Sequence, residues 1–275
     1  MTSVTPSTPE QVMGDERKSK SGAVALSVEG VSVKYGAFTA LTDLTFHVDD
    51  GEILGIIGPN GAGKSSSFAA ITNSVKRSGS VTLYGEEVDR ASTQRLSRLG
   101  LRRTFQQNSF FAELTVLENA MASFQLAEGS SLLKSTLTPW VEARQRESRR
   151  ASAKALLIEF GIPERYHAMQ PDDLPHGLQR VLSIVVSYGS GSRVLLVDEP
   201  GAGVGGEDMK DLAELLVRLK RQGMALVLIE HHMDLVMEIC DRILVLDRGA
   251  TIAHGAPAMV QRDPAVLEAY LGKTT

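Results

Sequence analysis

Cysteine is nearly absent: the chain has a single one, Cys240, which excludes an internal disulfide. Its neighbours Val236, Met237 and Ile239 are apolar and mark it as a core position. The scarcity of thiols suits a reducing cytoplasm. Also missing is any apolar run near the roughly 20 residues needed to span a bilayer. Any membrane process served by this chain therefore takes its channel from other chains. Positive charge is not in surplus either. The net charge is −4, so overall charge gives no case for nucleic acid as a partner. Basic residues gather only locally, at Arg102-Arg103 and from Arg144 to Arg150, the second patterned as a solvated helix face. Residues 1–24 lack the apolar centre of a signal peptide; rich in Ser, Thr, Pro and charge, they read as a disordered tail. No internal repeat is visible.

What is present suits a globular domain over 25–275: 43% of residues are hydrophobic and 23% charged. From Ala25 the pattern alternates. Leu26, Val28, Val31 and Val33 face one way, Leu44, Phe46 and Val48 repeat the pattern, and Gly30, Gly36 and Asp50-Gly51 mark turns. This predicts an antiparallel β layer. Ile53 to Ile57, Val194 to Val197 and Met224 to Ile229 are continuous apolar runs, as expected of buried parallel strands. A helix is expected from Lys64 to about Ser74. Residues from about 107 to 186 read as mostly helical, with a capping-box pattern at Thr115-Val116-Leu117-Glu118 and helical spacing from Val141 to Gly161. Strands at Arg242–Leu246 and Thr251–Ala253 flank a turn, and Pro264–Leu271 is a short closing helix. The fold class is α/β: a P-loop nucleotide-binding core with an antiparallel β subdomain and a helical subdomain near 107–186.

Two motifs carry chemistry. Gly58-Pro59-Asn60-Gly61-Ala62-Gly63-Lys64-Ser65 matches the phosphate-loop pattern GxxxxGK[ST] and stands between an expected strand and helix. Its glycines let backbone N–H groups close around phosphates, and the following helix adds partial positive charge. Lys64 reaches the β and γ phosphates of ATP, and Ser65 ligates Mg2+, with Ser66 beside it. The second motif is Asp198-Glu199-Pro200, just after a buried strand. Two carboxylates there are badly placed for packing and well placed beside a ligand. Asp198 suits hydrated Mg2+, and Glu199 suits the base that activates water.

Between and beyond these lie Arg103-Thr104-Phe105-Gln106, Thr115-Val116-Leu117-Glu118-Asn119, Leu228-Ile229-Glu230-His231 and Glu268-Ala269-Tyr270-Leu271-Gly272. The series resembles ABC transporter ATP-binding subunits over about residues 25–272, most closely the branched-chain amino acid importer type of the hydrophobic amino acid uptake family. The resemblance implies an ATPase. Tyr35 takes the place of the aromatic residue stacked on adenine. Gln106 matches the glutamine that senses Mg2+ and water and contacts the membrane subunit. His231 matches the switch histidine at the γ-phosphate, while His232 receives no role. Of Phe110 and Phe111, one is expected in the core and one in a groove for a permease helix. Implied partners are a second ATP-binding subunit (copy or paralogue), two transmembrane permease subunits and, indirectly, an external solute-binding protein. The implied place is the cytoplasmic face of the membrane. The solute is a branched-chain amino acid or a similar small polar molecule. ABC exporter ATPases, soluble ABC ATPases and weakly active partner subunits share many of these motifs and are the alternatives.

The chain departs from the family in two places. Its counterpart of LSGGQ is Leu174-Pro175-His176-Gly177-Leu178, followed by Gln179 as a candidate substitute for the lost glutamine. Gly177 is kept, as the contact to a partner's nucleotide. Pro175 lacks both hydroxyl and N–H. Gly201-Ala202-Gly203-Val204-Gly205 lacks the Asp or Asn that commonly ties two subunits together. The chain's own site therefore looks complete, and what it offers its partner looks weakened.

Overall fold

The computed structural model describes residues 22–104, 110–127 and 139–271. In chain order the strands are β1 (Val24–Tyr35), β2 (Phe38–Asp49), β3 (Ile53–Ile57), β4 (Arg77–Leu83), β5 (Glu86–Glu87), β6 (Leu101–Arg103), β7 (Val194–Asp198), β8 (Ala225–Ile229), β9 (Arg242–Asp247) and β10 (Ala250–Gly255). The helices are α1 (Lys64–Ile71), α2 (Thr93–Arg98), α3 (Val116–Ala127), α4 (Pro139–Glu159), α5 (His176–Gly189), α6 (Glu207–Arg221), α7 (Met233–Ile239), α8 (Pro257–Val260) and α9 (Pro264–Leu271).

The apolar runs fold as buried strands because both faces of their sheet are covered. The six-stranded sheet has the order β10-β9-β3-β8-β7-β6, parallel from β9 to β6, with β10 antiparallel at its edge. Alternate residues enter two different cores. Ile53, Leu195, Val197, Leu226 and Leu228 pack on the helical side. Leu54, Ile56, Leu196, Val227 and Ile229 pack toward the antiparallel sheet. A run buried on both faces has no polar alternate positions. Gly55 lets α7 approach: a Cβ there would lie 3.0 Å from the Cys240 sulfur. Cys240 is buried, and its pKa is pushed up to about 12 by that burial and then by Asp241, so it is an unreactive core thiol.

The antiparallel sheet has the order β2-β1-β4-β5. In β1 the inward residues change parity between Val28 and Val31, and the structure supplies the reason. Val28 pairs with Phe46 and Val31 with Leu44, so β1 carries an extra residue at a bulge containing Gly30, whose φ is +61°. All four of Leu26, Val28, Val31 and Val33 are thus buried.

Between β6 and β7 the chain runs through α3, α4 and α5. The start of α3 is a reciprocal cap: the Glu118 N–H donates to Thr115 Oγ1 and the Thr115 N–H to Glu118 Oε2. One boundary differs from expectation. Helix α1 stops at Ile71, not near Ser74. Asn73 turns left-handed, at φ +53°, where its side-chain amide donates to the carbonyls of Val88 and Ala91. That local hydrogen bonding competes with continuing the helix.

Candidate functional site

The phosphate loop joins β3 to α1, and its glycines are required by what surrounds them. At Gly58 a Cβ would fall 2.1 Å from the Leu246 carbonyl oxygen; at Gly63 it would fall 2.6 Å from that of Ala40. Gly61 has open space but a φ of +80°, which suits glycine. Lys64 is buried and folds over the loop, donating from Nζ to the carbonyls of Gly58 at 2.8 Å and Pro59 at 3.1 Å. Burial lowers its pKa, and the charges of Glu199 and Asp198 act to raise it. Those carboxylates therefore share one electrostatic site with the loop. Ala62 is buried, whereas Asn60 and Ser65 are exposed and Pro59 and Ser66 half-buried.

Strands β7 and β8 bring their ends together beside the loop, with Asp198 in register with Ile229. The Glu199 N–H donates to the Ile229 carbonyl at 2.8 Å. Glu199 adopts a left-handed φ of +46°, uncommon for a side-chain-bearing residue and a mark of a constrained site. Its Oε1 lies 2.9 Å from His231 Nε2. Asp198 is buried. Its Oδ2 accepts from Arg103 Nη2 at 2.5 Å, while its Oδ1 has no partner. A buried carboxylate oxygen without a partner and an exposed serine directly after Lys64 are the kinds of oxygen ligand a divalent cation takes. The glycine cradle and the amide-rich start of α1 fit a phosphate group.

Tyr35 faces Phe38 across the end of the β1–β2 hairpin, and both rings are exposed. Gly177 lies elsewhere, in the first turn of α5 against Asp208 of α6. Gln106 falls outside the described residues. Phe110 packs partly buried against the helical-side core and Phe111 is 60% exposed. Both line a cavity of about 430 Å³ with Leu96, Arg102, Arg103 and Val186. Asn119 holds this segment in place. Its Oδ1 accepts from the Phe111 N–H, and its amide donates to the carbonyls of Phe111, Leu114 and Thr115.

Sequence reasoning gave no role to three residues that the fold places here. Arg103 reaches Asp198. Glu230, with its side chain 1% exposed, accepts from the Gly201 N–H at 3.1 Å and from His232 Nδ1 at 2.6 Å. His232, left without a role, thus helps tie the loop after Glu199 to the loop carrying His231. Only the adjacency of strand ends reveals this. One expectation is corrected: Gln179 is no substitute for the lost signature glutamine. Its side chain is buried and donates back to the Leu174 carbonyl at 2.9 Å.

Comparisons with known proteins identify the family. The family described as ABC transporter matches residues 41–202, and that described as branched-chain amino acid ATP-binding cassette transporter matches 250–274. The chain is 35% identical over 254 residues to the high-affinity branched-chain amino acid transport ATP-binding protein LivG of Escherichia coli (strain K12), covering 90% of this chain and 98% of LivG. It is 32% identical over 251 residues to BraF of Pseudomonas aeruginosa, covering 90% and 98%. The ADP conformation of MJ1267, an ATP-binding cassette of an ABC transporter, superimposes with a TM-score of 0.76 at 28% identity, covering 91% of this chain and 99% of that one. The chain belongs to the ABC transporter family and is one of its ATP-binding cassette ATPases.

Proposed function

We propose that this chain powers an importer for branched-chain amino acids or a similar small polar solute, at the cytoplasmic face of the membrane. The observation that carries the reading is the meeting of Glu199, His231, Asp198 and the Lys64 loop at one strand-end crevice. The names of LivG and BraF and the match at 250–274 support the solute class. No helix among the described residues is long and apolar enough to cross a membrane, so two permease subunits supply the path. An external binding protein acts through them.

In this reading the backbone N–H groups of Gly58 to Gly63 and the Lys64 ammonium bind the phosphates of ATP, with Pro59, Asn60 and Ala62 shaping the loop. Ser65, Asp198 and Gln106 hold Mg2+, with Ser66 supporting; the ion supplies neutralisation of phosphate charge when bound. Tyr35 stacks on adenine. Glu199 accepts the proton of the attacking water, and His231 orients it and steadies charge at the γ-phosphate. Gly177 faces the nucleotide of a second ATP-binding subunit, a copy or a paralogue. The domain extends over 25–275 after a tail at 1–24, with its helical part near 107–186. The groove of Phe110 and Phe111 receives a permease helix.

The test is extraction of the native complex in mild detergent. Two multi-span permeases copurifying with a solute-binding protein support the importer; ribosomal or DNA-repair partners would overturn it while leaving the ATP site standing.

A further inference from the structure

We propose that Arg103 is a built-in counter-ion of Asp198 that competes with Mg2+ for this one buried charge. The proposal rests on the assignment of Mg2+ to Asp198 made above.

The Asp198 side chain is 1% exposed, and a buried carboxylate needs compensation. Here compensation comes from Arg103, across 95 residues of sequence. Arg103 lies on β6, whose register sets it opposite Leu196 of β7, so its long side chain runs forward along the neighbouring strand to Asp198. The Asp198 backbone is fixed as well, its N–H donating to Thr104 Oγ1 at 3.2 Å.

The contact has one strand only. Arg103 Nη2 engages Asp198 Oδ2, while Arg103 Nε and Asp198 Oδ1 are both buried without a hydrogen-bond partner. A guanidinium paired for structural purposes commonly grips a carboxylate with two parallel bonds. This one leaves a carboxylate oxygen unclaimed beside the phosphate loop. A divalent cation at that oxygen brings like charge close to the guanidinium at low effective dielectric, so each weakens the other's hold. The guanidinium has somewhere to withdraw: it is 22% exposed and lines the groove with Phe110 and Phe111. Its centre lies 5.5 Å from the Phe68 ring, a further favourable contact for a cation.

The experiment measures ADP affinity of the full chain by calorimetry, with Mg2+ and with a chelator, for wild type, Arg103→Met and Arg103→Lys. The readout is the factor by which Mg2+ tightens ADP binding. Competition predicts that this factor rises on the order of tenfold in Arg103→Met, and by less in Arg103→Lys, which keeps charge. Thermal unfolding runs in parallel. Arg103→Met should melt lower alone and recover more with Mg2+ and ADP than with ADP plus chelator. A role confined to folding lowers the melting temperature and leaves the Mg2+ factor unchanged; an unchanged or smaller factor overturns the proposal and leaves the ATPase reading intact. If Arg103→Met does not fold, the Arg103→Lys factor decides by the same criterion. Wild-type protein that binds no ADP under either condition overturns the phosphate-loop reading and the competition with it.

Discussion

His231 Nε2 lies 2.9 Å from Glu199 Oε1, although 32 residues separate them. Their strands are neighbours, and both side chains remain partly exposed at the strand ends. Replacing Glu199 by Gln keeps the shape and removes the base. Turnover should fall by about 10²–10⁴-fold with ATP binding retained, checked by phosphate release beside equilibrium binding. Near-normal turnover would refute the assignment.

The glycines of the phosphate loop should not be equivalent. At Gly58 an added methyl meets the Leu246 carbonyl at 2.1 Å, whereas Gly61 faces open space at φ +80°. Gly61→Ala should cost only backbone strain, about 1–2 kcal/mol. Gly58→Ala must displace β9 and should cost about 3 kcal/mol or more. Urea unfolding of the two variants checks the order.

The cap of α3 makes stability depend on pH. The backbone N–H and then the hydroxyl of Thr115 hold the Glu118 pKa below its usual value. A depressed carboxylate contributes stability above its unfolded pKa and loses it as pH falls through the folded one. Thr115→Ala should cost about 1 kcal/mol near neutrality. The gap from wild type should narrow in acid, below the ordinary glutamate range. Unfolding midpoints across that range measure it; the variant keeps the Thr115 N–H that bonds Glu118 Oε2, so a gap that stays constant would exclude the hydroxyl's share of the linkage.

The signature departures predict unequal sites in any dimer with a different ATPase. Pro175 opens α5 with no side-chain cap, and Gln179 is turned inward. The double variant Pro175→Ser, Leu178→Gln should raise hydrolysis at the partner's site on the order of tenfold, the worth of one charge-assisted hydrogen bond. Trapping each site after mutating one catalytic glutamate at a time reads this out, and equal hydrolysis at both wild-type sites would sink the idea.

What the sequence determined by itself was local. Runs such as Val194 to Val197 suit strands buried on both faces, and glycines spaced as in Gly58 to Gly63 before a lysine suit a phosphate loop, because each property is set within a few residues. The Thr115–Glu118 cap was legible for the same reason. The tertiary structure decided the rest. It reset the parity of β1 at Gly30, ended α1 at Ile71, and turned Gln179 into its own helix start. It placed Arg103 on Asp198 and Glu230 under Gly201. Those outcomes depend on which strands lie side by side and in what register, and a buried charge finds its partner across that spacing, wherever the chain order has put it.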